Sequence, residues 1–307
     1  MNRAVAALTA AAGRRAARCR FWFVPTILIT GAAGRIGTML RSRLARPGRV
    51  LRLLDVVPLA PPPGPGEESV TASVTDMAAV TAACAGAAAV IHLGGIPTEG
   101  AWAPILDVNV NGTYTVFEAA RRAGVPRVVF ASSNHAVGFT PRAAFPAADG
   151  APPVPDTYYG VSKAAGEALA ALYAQRYDLE AISVRILSCF DRPRDPRMLA
   201  TWLSPDDAGR LFEACLTAPA PGHRVIYGVS ANTRGGWVSL DGARALGYEP
   251  RDDAEAYAAE VLAGTRGPAE APPLPGREWP EHADPVFRYL GGEFTLPSRD
   301  APLPPAG

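Results

Sequence analysis

Thr26-Ile27-Leu28-Ile29-Thr30-Gly31-Ala32-Ala33-Gly34-Arg35-Ile36-Gly37 is the stretch that decides the fold. Its first five residues are apolar and β-branched, the composition of a buried strand. Three glycines follow at once, and Ile36, Leu40 and Leu44 then recur every fourth residue, the spacing of one helix face. A strand that turns through glycines into a helix aims unpaired backbone amides at the space above the turn, where a pyrophosphate can accept them. Glycines alone are a weak signal; their place between strand and helix gives them weight. Gly31, Gly34, Arg35, Ile36 and Gly37 are the first candidate dinucleotide contacts.

The alternation continues outward. Residues 50–54, 87–93, 128–131, 182–187 and 224–229 read as further strands. Helical stretches fall around 105–123, after Tyr159, and from Ser204-Pro205-Asp206-Asp207, where a serine cap precedes a proline and two acids. This order predicts a Rossmann-type, doubly wound α/β fold with a parallel sheet. Residues 1–24 are rich in alanine and arginine and contain no acid; they read as a disordered or overlong start, with a transit peptide as the other reading. The dinucleotide-binding domain, with its substrate cleft, is expected over 25–268. A proline-rich tail follows over 269–307, of which Phe287-Arg288-Tyr289-Leu290 is expected to dock as a small substrate-covering part.

Bulk properties exclude several classes of function. The 307 residues are 48% hydrophobic and 19% charged, which suits a large buried core. A net charge of +1 offers no general attraction to nucleic acid or an anionic membrane. The longest apolar runs are strand-sized, too short to span a bilayer. Cys19, Cys84, Cys189 and Cys215 lie far apart with no CxxC pair, so neither a disulfide framework nor a metal site is expected, and a reducing cytoplasm fits.

Asp55 ends the second strand, 24 residues after Gly31, and is the first acid in the chain after eleven arginines. A carboxylate there accepts from adenosine ribose hydroxyls and repels a 2′-phosphate, which favours NAD over NADP. Arg35, inside the glycine loop, is the feature that could favour a phosphate instead. Lys163 is the only lysine; every other cation of the 30 is arginine. It stands in Tyr159-Gly160-Val161-Ser162-Lys163, where a compact, tunable ammonium is something arginine cannot imitate. Tyr158 is of the same type as Tyr159 but has the wrong spacing.

These features resemble the extended branch of the short-chain dehydrogenase/reductase superfamily, whose glycine loop is GxxGxxG. The resemblance implies Tyr159 as general base, Lys163 as the cation that lowers its pKa and binds the nicotinamide ribose, and a serine at a strand end, for which Ser133 is a better candidate than Ser132. It also implies Asn109 as support for the lysine through water. More narrowly, His92-Leu93-Gly94-Gly95, Phe130-Ala131-Ser132-Ser133-Asn134-His135, Ser188-Cys189-Phe190, the run from Arg197 to Ser204, and the run from Val225 to Thr233 look like the bacterial uronate dehydrogenases. Those enzymes oxidise the anomeric hydroxyl of D-glucuronate or D-galacturonate with NAD to an aldarolactone, and usually form homo-oligomers.

That likeness implies cofactor contacts at Ser73, Val74, Leu93, Gly94, Gly95, Ile96, Asn134 and Cys189, and substrate contacts at Thr98, Ser133, Asn134, His135, Ser188 and Arg197. Arg197 would anchor the substrate carboxylate, since a guanidinium matches it with two parallel donors. A solvated charge cluster is the alternative for Arg197, a loop cap for His135, and a buried strand end for Ser188 and Cys189. His92, Trp102 and Trp202 read as structural. Three departures stand out: Ser73 replaces the family's acid near the adenine, Ile96-Pro97-Thr98 replaces a substrate-contacting serine, and the 58–66 loop is long. A nucleotide-sugar epimerase or dehydratase, and a non-catalytic NAD(H)-sensing protein, are the rival readings.

Overall fold

The computed structural model of the protein describes residues 25–264, 272 and 285–296. The expectation for residues 1–24, and most of the tail, lies outside them. Nine strands are present among the described residues: β1 Thr26–Thr30, β2 Val50–Asp55, β3 Glu67–Thr71, β4 Ala87–His92, β5 Arg127–Ser133, β6 Glu180–Ile186, β7 Ser188–Cys189, β8 Trp202–Leu203 and β9 His223–Gly228. Five principal helices are α1 Arg35–Leu44, α2 Met77–Cys84, α3 Gly112–Arg122, α4 Tyr158–Tyr177 and α5 Pro205–Thr217. Seven strands form one parallel sheet in the order β3-β2-β1-β4-β5-β6-β9, and β7 pairs with β8 apart from it.

Burial on both faces explains why the strands read as continuous apolar runs. Ile27, Ile29, Leu51, Ile91 and Val129 pack against Leu40 and Leu44 of α1 and Leu211 and Phe212 of α5. Leu28, Leu54, Val90, Val128 and Phe130 face the other way, against Val80 of α2, Val116 and Phe117 of α3, and Tyr173 of α4. The chain leaves β1 toward β2 and β3 on one side, then crosses to β4, β5 and β6 on the other. The carboxyl ends of β1 and β4 therefore open the crevice in which such folds bind dinucleotides.

Two elements escaped the sequence reading. β3 is a half-exposed edge strand, Glu-Glu-Ser-Val-Thr, without an apolar run, and α2 is short and alanine-rich. The expected 105–123 helix is divided: residues Ile105–Asn111 form a π-helical turn before α3 begins. The long 58–66 loop is tied down by Arg41 of α1. Its guanidinium donates to the carbonyls of Pro61 at 2.7 Å and Pro62 at 3.1 Å while pairing with Glu67 at 2.7 Å.

Helix α4 is held closely because the chemistry sits at its start. Thr157 caps it by accepting from the Gly160 amide at 2.9 Å. One turn past Lys163, Glu167 accepts from Ser132 Oγ at 2.6 Å and from Arg185 Nε at 2.8 Å and Nη2 at 2.7 Å. This fully desolvated pair bolts α4 to β5 and β6; removing one partner costs about 3–5 kcal/mol by leaving a lone buried charge. Gly166 makes the approach possible, since a Cβ there would fall 2.3 Å from the Phe130 ring. Gly166→Ala is expected to lower the unfolding free energy by about 1–3 kcal/mol through overpacking, read as a reduced urea midpoint.

Candidate active site

The glycine loop closes over the crevice as the sequence implies. Gly31 has φ +71° and runs so close to β4's exit that a Cβ would lie 2.6 Å from the Gly94 amide nitrogen. Gly34 precedes α1 with no side-chain oxygen capping the helix. The first-turn amides of α1 therefore lack the side-chain acceptor that would otherwise satisfy one of them, and an anion can take that place. Arg35 stacks 4.3 Å over the Phe190 ring and has no carboxylate partner among the described residues. Asp55 accepts from the Ala33 amide at 2.9 Å and the Val56 amide at 2.7 Å, which fixes its carboxylate beside the loop with lone pairs to spare for hydroxyls. Uncapped amides, an unpaired cation and an oriented carboxylate fit a dinucleotide with free ribose hydroxyls.

Around this frame the other expected cofactor residues divide. Leu93, Gly94, Gly95 and Ile96 form the β4 exit, and Gly95, at φ +155°, leaves 3.0 Å between a would-be Cβ and Asn109 Oδ1. Val74 is buried, with its side chain against Gly94 and Gly112, so it belongs to the wall. Ser73 bonds Thr75 Oγ1 at 2.8 Å and shapes its own turn. Cys189 is buried as a thiol pushed up to about 12 by desolvation. His92 bridges Thr30 Oγ1 at 2.7 Å and Thr113 Oγ1 at 3.1 Å, and burial lowers it to about 3, so it is neutral and structural.

Asn109 is buried against α4. Its Oδ1 accepts from the Ile96 amide at 2.7 Å, and its Nδ2 donates to the Ile96 carbonyl and to Ser162 Oγ, both at 3.1 Å. The side chain is a clamp between the β4 loop and α4, and the π-turn is what carries it there. Lys163 Nζ instead donates to the Ala131 carbonyl at 2.9 Å and lies 5.4 Å from the Tyr159 ring centroid. Burial lowers Lys163 to about 8. Burial also pushes the half-buried Tyr159 phenol up to about 12, opposed by a hydrogen bond from Ser133 and reinforced by the charge of Asp156. Ser133 is the last residue of β5.

On the substrate side, Arg197 Nη1 donates to Ser188 Oγ at 3.4 Å, and Nη2 donates to the Leu290 carbonyl. Its Nε is buried without a partner, and no carboxylate lies within ion-pair distance of it among the described residues. Desolvation lowers its pKa. Ser188 bonds Thr201 Oγ1 at 3.0 Å, which orients it toward the guanidinium. Asn134 Nδ2 donates to the same Leu290 carbonyl at 3.2 Å, so its amide holds the C-terminal segment. His135 Nδ1 lies 2.8 Å from Asp156 Oδ2, with its ring edge-on to Tyr159 at 5.8 Å and Phe294 at 4.6 Å. Thr98 is exposed. Its neighbour Glu99 makes the loop's contact with α4, accepting from the Tyr159 amide at 2.8 Å. Trp202 is packed as expected, whereas Trp102 is 44% exposed and meets Tyr158 edge-on.

Glu99 and Asp156 were missed because no spacing rule links residue 99 to 159 or 156 to 135. In the C-terminal segment, Gly291 N donates to the Gly138 carbonyl at 2.8 Å and Leu290 N to the Thr140 carbonyl at 3.0 Å.

A glycine-loop crevice feeding a tyrosine and lysine on one helix defines a dinucleotide-dependent oxidoreductase of the short-chain type. Residues 27–203 match the NAD dependent epimerase/dehydratase family. The chain is 44% identical to a uronate dehydrogenase of Pseudomonas putida over 270 residues, covering 88% of this chain and 95% of that one. A mutant uronate dehydrogenase of Agrobacterium tumefaciens complexed with NAD superposes with a TM-score of 0.79 at 41% identity, over 88% of this chain and 97% of that one. A glucuronic acid dehydrogenase of Chromohalobacter salexigens gives 0.79 at 40%, over 88% and 96%. The chain belongs to the NAD dependent epimerase/dehydratase family and, within it, to the uronate dehydrogenases.

The lowered Lys163 sets a sign for stability. Its folded pKa of about 8 lies below its ordinary 10.5, so the unfolded chain binds more protons between those values. In the cofactor-free protein, stability of the wild type relative to Lys163→Met is expected to rise from pH 8 toward pH 10, measured by urea melts across that range.

Proposed function

We propose that the protein oxidises the C1 hemiacetal hydroxyl of hexuronic acids, D-glucuronate and D-galacturonate, to the aldarolactone with NAD. The observation that carries the substrate class is Arg197: a guanidinium oriented by Ser188, with no carboxylate in ion-pair distance among the described residues. A substrate carboxylate supplies the missing counter-charge, and hydrogen bonds from the guanidinium fix its direction. NAD, when bound, would supply the acceptor for the C1 hydride and a positive charge that favours the phenolate.

The chain's own residues do the rest. Tyr159 takes the C1 hydroxyl proton, Ser133 shares a hydrogen bond with the phenol and holds the reacting oxygen, and Lys163 keeps a positive charge near both while binding the nicotinamide ribose. His135 meets sugar hydroxyls. Gly31, Gly34, Ile36 and Gly37 receive the pyrophosphate with Arg35 above it, and Asp55 takes the adenosine ribose, which sets NAD over NADP. Residues 25–268 serve as one unit with the cleft inside it, and the docked part of 269–307 covers the substrate.

No helix among the described residues is long and apolar enough to cross a membrane. A cytoplasmic setting is supported by the buried free thiols of Cys84, Cys189 and Cys215. Association with further copies of the same chain is supported by the exposed apolar side chains of Tyr114, Val161 and Leu172 on α3 and α4.

A panel of uronates, neutral aldoses and nucleotide sugars with NAD and NADP tests the reading by NADH formation; turnover of a nucleotide sugar in place of free uronates overturns it. Arg197→Ala should raise KM for uronates by about 100-fold and leave the poor turnover of neutral aldoses little changed, because only the carboxylate loses its partner. Tyr159→Phe should lower kcat by about 100- to 10,000-fold with NAD affinity retained, and full activity in that variant removes the base assignment.

A further inference from the structure

His135 is held by a carboxylate that the proposed chemistry does not use. Asp156 Oδ2 lies 2.8 Å from Nδ1, and its Oδ1 accepts from Thr157 Oγ1 at 3.0 Å. The Asp156 side chain is fully enclosed, whereas that of His135 keeps 15% of its surface. An ionised carboxylate only accepts, so Nδ1 carries the ring proton on that side. Among the described residues Nε2 has no hydrogen-bond partner, and it is not among the sealed polar atoms, so it is the nitrogen left to meet a ligand.

The surroundings are shaped to this carboxylate. A Cβ on Gly138 would fall 2.0 Å from Asp156 Oδ2, one on Gly291 1.9 Å from the same oxygen, and one on Gly160 3.2 Å from Oδ1. Three segments, the turn after β5, the start of α4 and the C-terminal segment, thus close on one acid by dispensing with side chains. Burying a carboxylate is costly unless hydrogen bonds compensate, and here the compensation comes from the imidazole and one hydroxyl.

We propose that Asp156 is a positioning residue for the uronate oxidation: it fixes the ring orientation and tautomer of His135, so that Nε2 serves as the acceptor for a hydroxyl of the sugar. The inference rests on the uronate reading above. Its analogue is the carboxylate that orients a ligand-bearing histidine by taking the other ring proton. The charge of Asp156 also acts on Tyr159 and Arg197, so a single substitution does not isolate the route through His135. A double-mutant cycle does.

The test uses the full chain with D-glucuronate and NAD: wild type, Asp156→Asn, His135→Phe and the double variant, with NADH affinity by fluorescence titration and melting temperature as controls. Asp156→Asn should lower kcat/KM by about 10- to 100-fold, while NADH affinity stays within about twofold. In the His135→Phe background the same change should cost less than about threefold. An equal cost in both backgrounds, or no cost in the wild type, overturns the proposal. Should Asp156→Asn not fold, Asp156→Ser replaces it in the cycle; loss of folding in both makes the carboxylate a structural group and overturns the proposal too. A wild type that leaves D-glucuronate untouched counts against the uronate reading, and the cycle is then run on whichever sugar of the panel it oxidises.

Discussion

The backbones at Gly31 and Gly94 meet so closely at the head of the β1/β4 crevice that a methyl group on Gly31 would overlap the opposing peptide. That approach sets the depth of the crevice and the direction in which α1 leaves it. It also aligns the β4 exit so that Ile96 reaches the Asn109 clamp, and through Asn109 the start of α4. The sheet supplies rigidity; the close contact converts it into a defined distance between the dinucleotide frame and the helix bearing Tyr159 and Lys163.

The site joins two kinds of electrostatic design. On the cofactor side, backbone amides and one carboxylate are arranged with little buried charge. On the substrate side three ionisable groups are withdrawn from water together: the fully enclosed Asp156, the half-buried Tyr159 and a guanidinium whose Nε has no partner. Burial pushes the phenol up and both Lys163 and Arg197 down, each toward its neutral form. A substrate carboxylate opposes the pressure on Arg197, and the positive charge of an oxidised cofactor opposes that on Tyr159.

Much of this was legible in the sequence. The strand-glycine-helix unit, Asp55, the Tyr159–Lys163 spacing and Ser133 at a strand end all depend on local periodicity, which survives without coordinates. Asn109 was found through the family likeness, but its clamp on Ile96 and Ser162 depends on a π-turn that no apolar spacing reveals. β3 was missed since an edge strand need not be apolar. Glu99 and Asp156 stayed hidden because their partners lie 60 and 21 residues away in sequence, and only the docking of loops on α4 brings them together.

One carbonyl, that of Leu290, receives hydrogen bonds from both Asn134 and Arg197. The wall against the guanidinium therefore comes from a dozen residues near the end of the chain, while the glycine loop, the acid at β2 and the tyrosine-lysine helix all precede residue 180. Drift in residues 285–296 therefore changes the wall against Arg197 while the glycine loop stays as it is.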